Sequence, residues 1–186
     1  MKARRTRTPG GVTLELNRRD EALMDSATRT TVKSPLNLKR ILVPIDFSDC
    51  SKKALAYALP LAQEHQAALT LLYVVPPTYG TGEYGGVDYA QLEASMKVAG
   101  EKELTKLAAD LVRSQVSTDT VVRCGSPARE IVASARELTA DLIVISTHGR
   151  TGLQHVFLGS VAEHVVQRAP CPVFVVRERE HEILAS

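Results

Sequence analysis

Residues 141–168 have the sequence DLIVISTHGRTGLQHVFLGSVAEHVVQR, and this stretch decides the fold. It begins with an apolar run, Asp141–Ile145, which predicts a buried parallel strand. It ends with Val161–Arg168, where apolar residues recur at helical spacing. A glycine-containing loop joins the two. Since free backbone N–H groups collect at the start of a helix, this order of elements predicts a phosphate-binding site.

A longer run, residues 146–176, has the sequence STHGRTGLQHVFLGSVAEHVVQRAPCPVFVV and resembles the C-terminal half of the universal stress protein family. Nucleotide-binding members of that family carry Gly-x2-Gly-x9-Gly-Ser/Thr. Gly149, the nine residues after it, Gly159 and Ser160 fit the second part of this pattern. Ser146 stands where the pattern has its first glycine. The resemblance covers about Lys39 to Arg177 and implies an ATP-binding regulatory or stress-response protein, with Mg²⁺ accompanying the nucleotide.

The rest of the domain alternates strands with helices. Strands are predicted at Arg40–Ile45, Ala68–Val75, Thr118–Cys124, Asp141–Ile145 and Val173–Val176. Helices are predicted at Ser51–Gln66, Asp88 to about Gln115, Ala128–Leu138 and Val161–Arg168. Such alternation favours a parallel sheet with right-handed crossovers. The resemblance implies an open five-stranded α/β sheet in the strand order 3-2-1-4-5, with helices on both faces, a Rossmann-like fold.

Three local details of the helices are also predicted. Pro60 is expected to kink the first helix or to shift its boundary. Asp49 is a better candidate than Asp46 for the N-cap of that helix. The second helix is expected to bury one apolar stripe, formed by Val98, Leu104, Leu107, Ala108, Leu111 and Val112.

In the implied strand order the topological switch lies between the first and fourth strands, where open α/β sheets bind ligands. Asp46 follows the first of these strands, and its carboxylate could accept hydrogen bonds from a ribose hydroxyl or an adenine amine, as the resemblance implies. The alternative is a turn or capping aspartate. Pro44 shapes the strand end and could touch the base. Val74 could lie under the adenine ring or belong to the core.

The second part of the site is the helix start after the glycine loop. Gly149, Gly159 and Ser160 are expected to hold phosphates through backbone N–H groups and one hydroxyl, and Val161 could add its N–H. Ser160 could equally serve as the N-cap, and the two roles are compatible.

Three further residues of the loop have alternative roles. His148 could reach a phosphate or bond to the backbone, and Arg150 could pair with a terminal phosphate or lie exposed. Ser146 is tolerated in place of glycine if φ is negative there. If φ is positive, serine costs about 1 kcal/mol.

Charge and composition bound the remaining possibilities. Residues 1–40 hold ten Lys or Arg against four Asp or Glu, a net charge of +6, whereas residues 41–186 have a net charge of −4. We therefore expect a basic and mostly disordered extension at 1–37, with one possible strand at 12–16, a domain at 38–178 and a polar tail at 179–186. The domain is not expected to bind nucleic acid.

No apolar run is long enough to span a bilayer, and the N-terminal region lacks the apolar stretch of a secretory signal. The three separated cysteines have no metal-ligand spacing and favour reduced thiols in a cytoplasmic protein without a structural metal.

Three functions remain open from the sequence. The first is an ATP-binding regulatory module that forms homodimers through residues 173–176, as the resemblance implies. The second is an interaction module of the same fold without nucleotide. The third is an enzyme that hydrolyses ATP or transfers phosphate. No Walker lysine follows the glycines and no general base can be assigned, so any hydrolysis would be slow and no catalytic residue is predicted.

Overall fold

A computed structural model describes residues 2–5, 12–15, 36–77, 89–111, 114–147 and 158–177. The chain divides into two compact units, Met1–Leu36 and Asn37–Ser186. In the first unit, strands β1 (Lys2–Arg5) and β2 (Val12–Glu15) pair antiparallel. The strand expected at 12–16 is therefore present within a pair that the sequence analysis does not anticipate.

The second unit contains one parallel sheet with four helices described around it. Its elements, in chain order, are β3 (Arg40–Pro44), α1 (Asp49–His65), β4 (Ala68–Val75), α2 (Tyr89–Leu111), β5 (Thr118–Cys124), α3 (Pro127–Glu137), β6 (Leu142–Ser146), α4 (Ser160–Arg168) and β7 (Val173–Val176). The spatial order is β5-β4-β3-β6-β7, and all four pairings are parallel. This confirms the predicted order 3-2-1-4-5. None of the described helices is long and apolar enough to cross a membrane.

Two apolar clusters cover the two faces of the sheet, because side chains alternate along each strand. On one face, Ile41, Val43 and Ile45 pack with residues of α1 and α2. On the other face, Leu42 packs with residues of α3 and α4. The central strand β3 is thus buried from both sides, which matches its continuous apolar sequence.

The first two helices depart from the sequence-based predictions in three ways. Helix α1 continues through Pro60 to His65, so the proline does not shift the helix boundary, and the alternative of a kink stays a prediction. Pro60 is exposed, and solvent can satisfy the carbonyl group that loses its partner. The N-cap of α1 is Ser48, and Asp49 is the first helical residue. In α2, Leu104 is fully buried but Val98 is 65% exposed, so Val98 does not belong to the buried stripe.

Candidate functional site

The sheet opens between β3 and β6 at their carboxyl ends. These two strands pair only at Ile41 with Leu142 and at Leu42 with Ile143. Beyond that point β3 continues to pair with β4 as far as Pro44, while β6 continues with β7 as far as Ser146. The crevice therefore lies at the predicted topological switch, where open α/β sheets bind ligands.

Asp46 lies at the β3 side of this crevice, immediately after the last backbone hydrogen bond between the β3 end and β4. That hydrogen bond runs from the Ile45 N–H to the Leu72 carbonyl and is 2.8 Å long. The Asp46 Oδ1 atom accepts hydrogen bonds from the backbone N–H of Ser48 at 3.1 Å and from its hydroxyl at 2.5 Å. The carboxylate therefore has a fixed orientation at the end of the strand.

Asp46 and the N-cap of α1 are parts of one hydrogen-bonded network. The Ser48 hydroxyl oxygen accepts the Ser51 N–H at 3.2 Å. The buried Ser51 hydroxyl donates to the Ser48 carbonyl at 2.9 Å and accepts the Asp46 N–H at 3.4 Å. The turn interpretation of Asp46 is therefore correct in part, since the carboxylate supports the capping residue rather than capping the helix itself.

Phe47 completes this turn in a left-handed conformation, with φ of +66°. Positive φ is uncommon for a bulky residue, because Cβ then approaches the carbonyl oxygen. The Phe47 ring packs on Tyr73 of β4, with the ring centroids 4.9 Å apart. Aromatic contact thus holds the turn in place from the side of the sheet that carries α1 and α2.

At the β6 side of the crevice, Thr147 ties together the strand ends and the start of α4. Its N–H donates to the Val176 carbonyl at 2.9 Å, and its own carbonyl accepts the Gly159 N–H at 2.9 Å. The Gly159 N–H, which the sequence analysis expects to hold a phosphate, is thus bonded to the Thr147 carbonyl in this structure. The hydrogen bond joins the two ends of the segment between residues 147 and 159.

The start of α4 still provides backbone donors. Gly159 is the N-cap and Ser160 is the first helical residue, so Ser160 is not the capping residue. The first intrahelical bond runs from the Glu163 N–H to the Gly159 carbonyl. The N–H groups of Ser160 and Val161 precede it and have no carbonyl four residues earlier within the helix.

The other predicted site residues fall in three places. Ser146 is the last residue of β6 and has the extended backbone of a strand. Its φ is not positive, so serine is tolerated at this position without strain. Pro44 ends β3 and is half-buried, whereas Val74 is buried in the cluster under α3 and α4. His148, Gly149 and Arg150 lie outside the described residues.

Cys124 and Cys171 lie away from the crevice, at the end of the edge strand β5 and just before β7. Burial raises the pKa of the Cys171 thiol, and the Asp141 carboxylate adds to the effect. Partial desolvation raises the pKa of the Cys124 thiol, with a hydrogen bond to Glu93 as the next cause. Both side chains therefore remain protonated and weakly nucleophilic at neutral pH. Among the described residues there is no group of three His, Cys, Asp or Glu side chains arranged to hold a metal ion.

Sequence analysis missed Ser48, Ser51 and Thr147. A signal for the first two exists in the spacing Asp-x-Ser-x-x-Ser at residues 46–51, because Asp and Ser side chains bond to backbone groups two or three residues away. The two hydrogen bonds of Thr147 given above run through its backbone, so they leave no side-chain pattern in the sequence.

The sequence profile described as "Universal stress protein family" matches residues 37–177. The chain belongs to the universal stress protein family. Universal stress protein MJ0531 of Methanocaldococcus jannaschii is 37% identical over 144 residues, which cover 77% of this chain and 85% of that protein. The solved structure of universal stress protein UspA from Lactobacillus plantarum superposes with a TM-score of 0.66 at 31% identity, covering 76% of this chain and 99% of that one.

More distant universal stress proteins share the fold of this one. One was solved in complex with cAMP, at 22% identity and a TM-score of 0.58, covering 76% of this chain and 98% of that one. Another, from Arabidopsis thaliana, was solved with AMP bound, at 20% identity and a TM-score of 0.55, covering 76% of this chain and 92% of that one. At these identities the likeness establishes the fold.

Proposed function

We infer that this universal stress protein binds an adenine nucleotide, ATP accompanied by Mg²⁺, in the crevice between β3 and β6. The observation that carries the proposal is the separation of the two strands after only two paired positions, with an oriented carboxylate on one side. The start of α4 follows the other strand and supplies donors for an anion. A ligand with phosphates at one end and hydrogen-bond donors at the other fits the N–H groups of α4 and the Asp46 carboxylate, respectively.

Different residues of the site would contact different parts of the nucleotide. The Asp46 carboxylate would accept hydrogen bonds from the ribose or the adenine amine, with Pro44 beside the base. The N–H groups of Ser160 and Val161, together with the Ser160 hydroxyl, would bind phosphate oxygens at the positive end of the α4 dipole. We also include Gly149, His148 and Arg150 as phosphate contacts, and the support for these three is the sequence motif alone. Mg²⁺ would bind mainly to the phosphates, as this ion usually does with nucleotides.

Isothermal titration with Mg-ATP tests the proposal, and a millimolar or tighter dissociation constant is expected. Gly159→Val should abolish the binding, because a branched side chain would stand beside the phosphate. The backbone of Gly159, with φ of −67° and ψ of 152°, accepts valine without strain, so the fold should persist. Ser126→Val is the matched control, since Ser126 is the N-cap of α3 at φ of −69° and makes no capping bond through its side chain.

Two results would contradict the proposal. Absence of heat and of any thermal shift at millimolar Mg-ATP would favour the interaction module without nucleotide. Unchanged affinity in Gly159→Val, with binding retained, would show that the nucleotide binds elsewhere.

The interaction function has its own support in the edge strand β7. This strand pairs with β6 on one side, and Phe174 is 38% exposed. Apolar edge strands favour pairing with another chain, and two identical edges satisfy one another across a two-fold axis. A homodimer through residues 173–176, with one nucleotide in each subunit, combines both functions.

A further inference from the structure

The first compact unit, Met1–Leu36, contains a basic β-ribbon, which we define as the antiparallel strands β1 (Lys2–Arg5) and β2 (Val12–Glu15). β1 has the sequence KARR, so three of its four residues are cationic. Residues 1–14 hold four Lys or Arg and no Asp or Glu, whereas residues 41–186 have a net charge of −4. Positive charge is therefore concentrated at the ribbon rather than spread over the chain.

The register of the ribbon decides which cations stand opposite an acidic residue. The cross-strand pairs are Lys2 with Glu15, Arg4 with Thr13 and Arg5 with Val12. Glu15 can offset the charge of Lys2, whereas the residues opposite the two arginines are uncharged. Because neighbouring cations repel each other and two strands alone are only marginally stable in water, a polyanion that neutralises Arg4 and Arg5 would stabilise the strand pair.

The dimensions of the basic β-ribbon fit the major groove of duplex DNA. Paired strands lie about 4.8 Å apart, and four residues of a strand extend about 14 Å. The major groove of B-DNA is about 12 Å wide and admits a two-stranded ribbon, whereas the major groove of an RNA duplex is too deep and narrow for side chains. Since duplex DNA carries one phosphate charge for about every 1.7 Å of its axis, a ribbon in the groove has phosphates on either side.

The composition of the first unit disfavours two other polyanions. Residues 1–36 contain no Phe, Tyr, Trp or His. Proteins hold single-stranded nucleic acids largely by stacking bases on aromatic side chains, and segments that lie on membranes are anchored by aromatic and other large apolar residues. Contact with the phosphates of a duplex needs only cations, so it suits this composition best.

We propose that the basic β-ribbon binds double-stranded DNA, with Arg4 and Arg5 on backbone phosphates and Arg7, just after β1 in the sequence, as a third phosphate contact. The binding is independent of base sequence, because phosphate contacts carry no sequence information. This function goes beyond nucleotide binding and belongs to the first unit alone. It agrees with the expectation that the mildly acidic domain itself does not bind nucleic acid.

Fluorescence anisotropy of the full chain with a labelled DNA duplex of about 20 base pairs, between about 50 and 200 mM NaCl, tests the proposal. The test variant is Arg4→Gln/Arg5→Gln. Its matched control is Arg18→Gln/Arg19→Gln, which removes the same charge from an adjacent arginine pair that follows β2 in the sequence. A third variant, Arg4→Lys/Arg5→Lys, keeps the charge of the ribbon and so separates loss of charge from loss of the arginine side chains.

For three phosphate contacts, the logarithm of the association constant should fall with the logarithm of the salt concentration with a slope of about −3. Arg4→Gln/Arg5→Gln should bring this slope to about −1 and weaken binding at about 50 mM NaCl by about tenfold or more. The control should stay within about twofold of wild type with an unchanged slope. Arg4→Lys/Arg5→Lys should keep a slope of about −3.

No binding of the duplex at about 50 mM NaCl would overturn the proposal. Equal weakening by the two glutamine variants would also overturn it, because the charge of the whole segment and not the ribbon would then be responsible. Unlabelled single-stranded DNA and vesicles of phosphatidylserine and phosphatidylcholine serve as competitors. If either displaces the labelled duplex at a lower phosphate concentration than unlabelled duplex does, the assignment to duplex DNA is wrong.

Discussion

Gly159 is the N-cap of α4, on the β6 side of the crevice where phosphates are proposed to bind. The motif predicted a free N–H for phosphate, whereas that N–H bonds to the Thr147 carbonyl. The backbone has negative φ, so glycine is not required by conformation either. The remaining reason for glycine at this position is that no side chain then stands next to the N–H groups of Ser160 and Val161. Sequence patterns locate a residue, but the partner of its backbone group depends on the fold around it.

Gly100 is a second glycine whose role only the structure shows. It lies within α2, against the side chain of Tyr73 of β4. An added Cβ atom would lie 2.3 Å from Tyr73 Cδ1, far inside the contact distance. Because Tyr73 is buried and its ring already packs on Phe47, it has little room to move. Glycine therefore allows the helix to approach the sheet.

Gly100→Ala should destabilise the protein, although alanine favours a helix over glycine by about 1 kcal/mol. Overpacking of a filled core costs about 1–3 kcal/mol, and it should outweigh that gain. Urea unfolding would measure the difference in the free energy of unfolding. Ser95→Ala, at an exposed position of the same helix, is the control. A more stable Gly100→Ala variant would contradict the packing described here.

At the scale of elements, the sequence predicted the strands better than the helices. Strands β4, β5 and β7 have the predicted bounds. Of these three, β4 is the largely buried apolar run that is typical of a central parallel strand. Their order came from the family resemblance, since the length of a crossover does not reveal which side of the sheet a strand joins.

Helix α2 shows why a helical stripe is harder to predict. Leu104, Leu107 and Leu111 follow the spacing of one face, and Leu104 is fully buried. Val98 precedes Leu104 by six residues and thus lies about 120° away around a helix with 3.6 residues per turn. It is apolar, but it falls on the exposed face. The predicted stripe included Val98 because this residue is apolar, but the face of α2 that packs on the sheet is narrower than the predicted stripe.

The edge strand β7 carries a prediction about assembly. Light scattering should give about twice the 20.2 kDa mass of the chain. Phe174→Lys should shift the protein toward monomer, because pairing at the edge would then desolvate a charge. Phe174 is preferred to Val175 for this test, since Val175 packs against the core.

Val166→Lys serves as the control for the edge-strand experiment, because Val166 is 47% exposed on α4. A monomeric wild type, or a dimer equally unaffected by both lysines, would exclude β7 as the dimer interface.

At the scale of the whole molecule, the N-terminal segment is set apart by its composition, since residues 1–40 carry a net charge of +6. The compact unit that holds the sheet begins at Asn37. Because its composition is basic and polar, this segment can bury little apolar surface and is expected to contribute little to the stability of the domain.

Deletion of residues 1–36 should leave the thermal midpoint of the domain within about 4 °C of the full chain, which corresponds to about 1 kcal/mol for a protein of this size. Differential scanning calorimetry of the two proteins at equal concentration would measure the change. A larger fall would show that the first unit stabilises the second.

The central claim is that the crevice between β3 and β6 binds the nucleotide, and amide chemical shifts test it most directly. During titration of the full chain with Mg-ATP, after a reference titration with Mg²⁺ alone, the largest saturable shifts are expected at the N–H groups of Ser160, Val161 and Asp46. These groups come from two elements far apart in sequence and would shift together with one dissociation constant. No saturable shift at millimolar Mg-ATP, or shifts confined to the opposite end of the sheet near Gln66 and Gln115, would contradict the account.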